Sequence, residues 1–343
     1  MPPVLYIVIP CYNEEKVLPK TAPLFFQTLN SFVQNKSVSD QSRILFVNDG
    51  SNDRTWHIIE EMHRSMPLIT GISLSRNRGH QNALLAGLME ARFYCDISIS
   101  IDCDGQDDIN AMESMIEAYN HGSDIVYGVR SDRHTDSFLK RSSAQSFYRF
   151  LNIMGIESIY NHADYRLLSK KVLDALADYH EVNLYLRGMI PLIGFNSTCV
   201  YYERQERTAG ESHYSLAKMV GLALDGVTSL SIRPIRFIIG FGLLIALFSI
   251  IGILWSIITK LFGYTVQGWT SLICIICFIS GVQLISLGVI GEYVGKIYLE
   301  TKARPRYIIS DRIETCLDHT DAQLSDGPAT ETKSYSREDL ENE

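Results

Sequence analysis

Short apolar runs alternate with amphipathic stretches along the first part of the chain. Strand-like runs rich in Val, Ile and Leu occupy residues 4–10, 43–49, 69–75 and 97–102. Helical periodicity marks the segments between them, near 15–33, 53–65 and 80–92. This alternation predicts an α/β fold with a mostly parallel sheet covered by helices on both faces. Ligands of such sheets bind at the carboxyl ends of the strands.

The pattern continues less regularly after Asp108. It predicts a helix over 110–121, a strand over 124–130, a helical stretch over 137–154, a helix over 169–178 and a strand near 197–204. Residues 162–168 (HADYRLL) are expected to form a short turn before the predicted helix at 169–178. Residues 214–232 mix apolar and polar positions at helical spacing, which predicts a helix lying along a membrane interface.

Two uncharged runs follow, at 237–258 and 269–290. Each is long enough to cross roughly 30 Å of hydrocarbon as a helix, which predicts two transmembrane helices. A pair of buried core helices is the alternative. Basic residues flank the pair on its outer sides: Arg233 and Arg236 before it, and Lys296, Lys302, Arg304 and Arg306 after it. By the positive-inside rule, the large N-terminal domain and both termini are expected in the cytoplasm.

The acidic balance of the chain belongs mostly to its C-terminal end. The formal net charge is −8, and residues 311–343 contribute −7 of it, with ten acidic and three basic side chains. This segment is also poor in apolar residues, so it is expected to be a disordered tail. The remainder is close to neutral and gives no indication of nucleic-acid binding. The seven scattered cysteines suit a reducing compartment better than a disulfide framework.

The densest group of reactive side chains directly follows the fourth predicted strand. Four carboxylates fall within seven residues: Asp102, Asp104, Asp107 and Asp108. Alternate residues leaving a strand share a face, so Asp102, Asp104 and Gln106 are expected to point the same way. Such oxygen ligands suit Mg²⁺ or Mn²⁺, which bind one or two carboxylates together with substrate phosphates. A solvated acidic loop or helix N-terminus is the alternative, and it explains Asp107 and Asp108 better than Asp102.

Two more polar turns end neighbouring strands, at 10–14 (PCYNE) and 48–51 (NDGS). Taken alone, each is equally well explained as a tight bend with a helix cap. Together they predict a pocket for a base and ribose. Arginine suits bidentate phosphate contacts, and there are two basic groups, Arg130 with Arg133, Lys140 and Arg141, and Arg207 with Gly210 and Ser212. Attraction to anionic lipid head groups is the alternative for the first group.

Together these segments resemble glycosyltransferase family 2, with its GT-A nucleotide-sugar fold, and more closely its polyisoprenyl-phosphate glycosyltransferases. Further matching segments are SRNRGHQ (75–81), DCDGQD (102–107), ADYRLL (163–168), RTAGESHY (207–214) and GEYVGKIYLETKARPRY (291–307). The last is the most specific and looks like the bactoprenol-phosphate glucosyltransferases. The resemblance extends over residues 4–309. It departs from the family pattern at Asn48, where the family usually has a carboxylate.

The resemblance implies a role for each matching residue. The nucleotide-sugar would be bound at the strand ends by Pro10, Tyr12, Glu14, Asp49, Ser51, Asn77, Asp102 and Cys103. Mg²⁺ or Mn²⁺ would be held by Asp102, Asp104 and Gln106, and the acceptor phosphate by Arg130, Lys140, Arg141 and Ser212. Catalysis would involve Asp104, Asp164 and Arg207. Asp164 would be the base, or a group that only orients the nucleophile; from the residues alone it is equally a helix cap.

The implied reaction is inverting transfer of a hexose, glucose by resemblance, from a UDP-sugar to polyprenyl (undecaprenyl) phosphate. The product would supply cell-surface glycan modification, with a flippase and an extracellular or periplasmic glycosyltransferase downstream. Whether the enzyme is a dimer or a tetramer is left open. Alternatives are transfer from GDP-mannose as in dolichol-phosphate mannose synthase, a processive polysaccharide synthase, and a non-catalytic membrane scaffold. The synthase is disfavoured because the chain lacks a QxxRW motif.

The expected domain organisation follows from these segments. A glycosyltransferase domain would occupy 1–212 and interfacial helices 213–236. The transmembrane helices would be followed by a cytoplasmic juxtamembrane segment at 291–310 and by the acidic tail.

Overall fold

The computed structural model describes residues 1–131, 162–182, 184–203, 233–262 and 268–313. Its strands are β1 (Leu5–Cys11), β2 (Arg43–Asn48), β3 (Ile69–Leu74), β4 (Ile97–Ser100), β5 (Ile125–Arg130), β6 (His162–Ser169), β7 (Ser197–Tyr202) and β8 (Ile309–Ile313). Its helices are α1 (Leu18–Gln34), α2 (Thr55–Ser65), α3 (His80–Ala91), α4 (Ala111–Asn120), α5 (Lys170–Ala177), α6 (Leu186–Leu192), α7 (Arg233–Leu261) and α8 (Trp269–Lys302).

These strands form one mixed sheet in the order β7-β5-β6-β4-β1-β2-β3-β8. β1 pairs in parallel with β2 and β4, β2 with β3, and β5 with β7. β6 runs antiparallel to both β4 and β5, and β8 runs antiparallel to β3. The predicted α/β fold with a mostly parallel sheet is confirmed.

Both faces of the sheet are covered, which explains why its strands are almost continuously apolar. Along β1, Ile7 and Ile9 belong to one buried cluster, while Tyr6 and Val8 belong to another on the opposite face. Helices α1 and α4 contribute to the first cluster, and α3 and α5 to the second. In α1 the buried positions recur at helical spacing, at Leu18, Ala22, Phe25 and Leu29.

Three parts of the sequence interpretation need correction. The segment 162–168, predicted as a turn, belongs to β6 in the interior of the sheet. Residues 311–313, assigned to the tail, belong to β8 and pair with β3. Helix α6 was not predicted. The predicted helical stretches at 137–154 and 214–232 lie outside the described residues, as do residues 314–343 of the tail.

Helices α7 and α8 contain the two uncharged runs. Large apolar side chains on both are open to solvent, for example Trp255 and Leu284, each 70% exposed. Within the residues that the structure describes, one helical stretch, Phe278–Lys302, is long and apolar enough to cross a membrane. Two transmembrane helices therefore remain a prediction.

Candidate active site

The carboxyl ends of β1, β2 and β4 meet at one edge of the sheet, and the antiparallel β6 brings its amino end to the same place. Ser100 of β4 pairs with Arg166 of β6. Asp102 and Asp164 each lie two residues beyond that pair, so the register brings the two carboxylates to the same edge of the sheet. The sheet thus joins two acidic motifs that are distant in sequence.

Asp164 lies at the centre of a cluster of cationic side chains. Its side chain is only 5% exposed and contacts His80 Nε2 at 3.3 Å. Arg187 donates to both of its oxygens, from Nε at 3.1 Å and Nη2 at 3.0 Å, and the wholly buried Arg166 donates to Oδ1. Burial opposes ionisation, but these partners hold the pKa of Asp164 well below its usual value. Asp164 is therefore a stable anion and a weak base.

Asp102 is more accessible, with a side chain 38% exposed and an oxygen 3.6 Å from His80 Nε2. Desolvation raises the pKa of Asp102; His80 opposes this rise, while repulsion from Asp164, Asp107 and Asp104 adds to it. A cation beside Asp102 would relieve this repulsion. The carboxylates of Asp102 and Asp104 fit a hard dication that takes further ligands from a substrate.

The third predicted metal ligand, Gln106, is buried, with 7% of its surface exposed. Its backbone N–H donates to Asp104 Oδ1 at 3.1 Å, so the loop is folded around Asp104. Within the described ranges, no group of three or more His, Cys, Asp or Glu side chains has the arrangement of a metal site. A metal here would depend on the Asp102–Asp104 pair, with oxygens from a substrate.

Asp107 is buried, at 3% exposed, and the interpretation of it as a solvated residue is wrong. Its Oδ1 accepts a hydrogen bond from the Tyr202 hydroxyl at 2.7 Å and another from Arg130 Nη2 at 3.0 Å. Since Tyr202 and Arg130 end the neighbouring strands β7 and β5, Asp107 fastens the acidic loop to that side of the sheet. The acceptor-phosphate role of Arg130 remains a prediction.

The NDGS turn is fixed by bonds to its neighbours. Asp49 is buried, and its two oxygens accept the backbone N–H groups of Arg78 at 2.7 Å and Gly79 at 2.9 Å. Burial raises the pKa of Asp49, and these two bonds oppose the rise. Asn48, which departs from the family pattern, donates to Ser73 Oγ at 2.8 Å across the β2–β3 pair. A carboxylate has no such donor.

The other predicted nucleotide contacts vary in exposure. Tyr12 and Asn77 are exposed, and Pro10 is buried at the end of β1. The Ser51 hydroxyl accepts the Asn13 N–H at 3.0 Å, and the Glu14 N–H donates to Thr55 Oγ1 at 2.8 Å. These two bonds join the loops that follow β1 and β2.

Cys103 is buried beside Cys11, the last residue of β1. The hydrogen bond between the two thiols and burial raise the pKa of Cys103 well above its usual value. As a small buried side chain of the acidic loop, Cys103 joins the same hydrophobic cluster as Cys11. Its predicted nucleotide contact therefore remains untested.

Six predicted residues lie outside the part of the chain that the structure describes: Arg133, Lys140, Arg141, Arg207, Gly210 and Ser212. Conversely, sequence reasoning missed His80 and Arg187 as members of the Asp164 cluster. His80 belongs to the recognised segment 75–81, which was a usable signal. Arg187 is 23 residues from Asp164, and no motif in the sequence indicated that it belongs to the site.

Comparison with known proteins agrees with this architecture. Residues 6–177 match the sequence model described as "Glycosyl transferase family 2". The chain is 47% identical over 307 residues to the uncharacterized glycosyltransferase YkoT of Bacillus subtilis (strain 168), covering 90% of this chain and 91% of that one. It is 41% identical over 308 residues to the bactoprenol glucosyl transferase of Shigella phage SfX, covering 89% and 98%.

Among solved structures, the chain is similar to the mannosyltransferase PcManGT from Pyrobaculum calidifontis in complex with GDP-Man and Mn²⁺. The TM-score is 0.43 at 16% identity, over 68% of this chain and 65% of that one. The sequence matches, which extend over most of the chain, are enough to place it. This chain belongs to glycosyl transferase family 2.

Proposed function

We propose that the enzyme transfers a hexose, glucose in the first instance, from a UDP-sugar to polyprenyl phosphate. The observation that carries this proposal is the meeting of Asp102 and Asp164 at the strand ends, with Asp104 beside Asp102. Relatives matched over 88–89% of this chain support the acceptor, since one at 41% identity is named bactoprenol glucosyl transferase and one at 40% is named a homolog of it.

The donor diphosphate would lie beside Asp102 and Asp104. Together with Gln106, these residues would hold Mg²⁺ or Mn²⁺, which when bound would neutralise the charge that develops on the leaving diphosphate. The base and ribose would extend over the turns after β1 and β2, where Tyr12 is exposed and Asp49 fixes the Arg78–Gly79 backbone. Arg207 and Ser212 would complete the donor and acceptor contacts, respectively.

Asp164 would orient the nucleophile rather than remove a proton from it. Its lowered pKa makes it a weak base, and its two arginine partners hold it in one position. An acceptor phosphate is already largely ionised near neutral pH, so a strong base is not needed. The attacking phosphate oxygen would approach the anomeric carbon from the side opposite the leaving diphosphate, which inverts the configuration there.

The acceptor lipid cannot leave the bilayer, so we place the site at the cytoplasmic membrane face. Helices α7 and α8 would span the membrane and hold the catalytic domain beside it. Anchoring of this kind replaces a three-dimensional search for the acceptor with a local one. Arg130, Lys140 and Arg141 would receive the acceptor phosphate.

The test is sugar transfer by the full-length protein in detergent, with Mg²⁺, polyprenyl phosphate and a panel of UDP- and GDP-sugars, the lipid product being identified by mass. Asp102→Asn and Asp104→Asn should each lower kcat by at least about a hundredfold, as loss of electrostatic stabilisation does. Asp108→Asn is the matched control, because among the described residues its carboxylate bonds to the nearby Asn110.

Three outcomes would contradict the proposal. Unchanged transfer in Asp104→Asn would exclude the carboxylate mechanism. If the product forms only from GDP-mannose, the donor is GDP-mannose and not a UDP-sugar. The absence of any glycolipid with every donor would favour a scaffold.

A further inference from the structure

Arg187 lies at the start of α6 and is held side-on against Asp164. Its Nε and Nη2 atoms contact the two carboxylate oxygens at 3.1 Å and 3.0 Å. Asp164 is 5% exposed, whereas the Arg187 side chain is 41% exposed. One edge of the guanidinium is therefore fixed by a buried anion, while much of the side chain remains open.

A charge count shows that Arg187 is not needed to neutralise Asp164. Arg166, with a side chain 0% exposed, already forms an ion pair with that carboxylate, and His80 contacts its other oxygen. A single negative charge is thus surrounded by two permanent cations and an imidazole. Of these two arginines, Arg187 is the one whose side chain faces solvent.

The open part of Arg187 lies near the proposed reaction centre. Arg187 contacts the Asp164 carboxylate, and His80 Nε2 lies 3.3 Å from that same carboxylate and 3.6 Å from Asp102. A guanidinium has five N–H donors, and the bidentate contact with Asp164 uses two of them. Because Asp164 fixes the plane of the guanidinium, the remaining N–H groups of Arg187 are suited to binding a second oxyanion.

The segment that leads into Arg187 is held by hydrogen bonds at two points. The Leu186 N–H donates to Gln81 Oε1 at 3.0 Å, next to His80. The Val182 N–H donates to the Glu300 carboxylate in the last turns of α8. Since α8 contains the candidate membrane-spanning stretch, this hydrogen bond connects the segment that precedes Arg187 to that helix.

We propose that Arg187 is a phosphate-binding residue of this enzyme, with Asp164 as the residue that positions its guanidinium. The ligand is a substrate phosphate group, and the link to α8 favours the phosphate of the lipid acceptor over the diphosphate of the donor. This inference rests on the proposed function for its substrates. It adds a role for a residue that the sequence motifs did not indicate.

The experiment compares wild type, Arg187→Gln and Arg187→Lys as full-length proteins in detergent. Direct titrations with farnesyl phosphate and with UDP measure binding without turnover, and KM for each substrate is measured where transfer occurs. Arg92→Gln is the matched control, because Arg92 also pairs with an aspartate, Asp174, but on an exposed surface.

Arg187→Gln should weaken binding of farnesyl phosphate at least about tenfold, because it removes a charge-assisted hydrogen bond to the phosphate, and leave UDP binding within about twofold. Arg187→Lys should recover only part of the loss, because an ammonium lacks the planar fork. Weakened UDP binding instead would assign the same phosphate contact to the donor. Unchanged binding of both ligands in both variants would overturn the proposal.

Two further results separate the test of Arg187 from a folding defect and from failure of the proposed function. If Arg187→Gln does not fold, as judged by its melting temperature, Arg187→Lys carries the test, because it retains a cation beside Asp164. If the wild type transfers no sugar to a lipid phosphate, the proposed function fails. The farnesyl phosphate titration then still decides whether Arg187 binds a phosphate.

Discussion

The carboxylate of Glu300, near the end of α8, accepts the backbone N–H of Val182 at 2.9 Å and 2.8 Å to its two oxygens. The two residues are 118 positions apart in the chain. This contact joins the long apolar helix to the segment that leads to Arg187 and so to Asp164. Glu300 belongs to the segment 291–307, which resembles the family. Its contact with Val182 gives the Glu300 carboxylate a structural role.

Glu300→Ala should loosen this junction, because it removes the acceptor of a charge-assisted hydrogen bond. We expect the Val182 amide to exchange its hydrogen at least about tenfold faster, which corresponds to roughly 1.4 kcal/mol of lost protection. Hydrogen exchange measured by mass spectrometry checks this. Glu292→Ala is the control: its side chain on the same helix is 53% exposed and lies 4.0 Å from Lys296. Equal exchange in both variants would show that the junction does not depend on Glu300.

The central strands were predictable because burial on both faces leaves a continuous apolar run, and β1 is buried at all seven positions. β6 was not predictable in this way. Asp164, Tyr165 and Arg166 follow one another in it, and sequence reasoning assigns such polar residues to a turn. Asp164 and Arg166 lie two residues apart on one side of the strand and form an ion pair, which makes their burial tolerable.

The acidic motif after β4 was likewise recognised, whereas the partners of its members were not. Asp107 bonds to Tyr202, 95 residues away, and Asp49 bonds to the backbone of a loop that follows a different strand. Such contacts depend on the strand order and on register, which one sequence does not reveal. Asp102, the more exposed of the two strand-end carboxylates, and the buried Asp164 looked alike in sequence.

Tyr202→Phe tests whether Asp107 anchors the acidic loop. The substitution removes the hydroxyl that donates to Asp107 at 2.7 Å, and leaves a buried acceptor with Arg130 as its remaining partner. We expect a loss of about 1–2 kcal/mol in the free energy of unfolding, measured by urea denaturation. Tyr201→Phe, at a neighbouring side chain that is 70% exposed, should change it by less than about 0.5 kcal/mol. If Tyr202→Phe is as stable as the Tyr201→Phe control, the bond between Tyr202 and Asp107 does not anchor the acidic loop.

Gly50→Ala tests the close approach of two strand-end loops. Gly50 has φ +60°, and an added Cβ would lie 2.3 Å from the carbonyl carbon of Arg76. Gly122 also has a positive φ, +99°, but its Cβ would meet nothing within 4 Å. We expect Gly122→Ala to cost about 1 kcal/mol from backbone strain alone, and Gly50→Ala at least about 2 kcal/mol more from the clash. If Gly50→Ala and Gly122→Ala lower the melting temperature equally, the loop at Arg76 has moved to make room for the added methyl group.

Asp164→Asn tests the buried ion pair through the pH dependence of stability. The variant leaves Arg166, which is wholly buried, without its anionic partner, and should lose about 3 kcal/mol of unfolding free energy at pH 7. Asp174→Asn is the control, because its carboxylate is 56% exposed and lies 3.8 Å from Arg92. That exposed pair should contribute less than about 1 kcal/mol.

The sign of the pH effect follows from the lowered pKa of Asp164. Above about pH 4, the usual pKa of aspartate, the carboxylate is ionised in both the folded and the unfolded chain, so its stabilising contribution is complete. Below that pH, the unfolded chain binds the proton first, and the contribution falls as the pH approaches the folded pKa. His80 titrates at higher pH: desolvation lowers its pKa, but the contact with Asp164 outweighs this and raises it. The difference in unfolding free energy between wild type and Asp164→Asn should therefore widen slightly from pH 7 to about pH 5, as His80 becomes protonated, and shrink below about pH 4. A difference that keeps widening below about pH 4 would mean that the folded-state pKa of Asp164 is raised, and the cation cluster around it would then need another explanation.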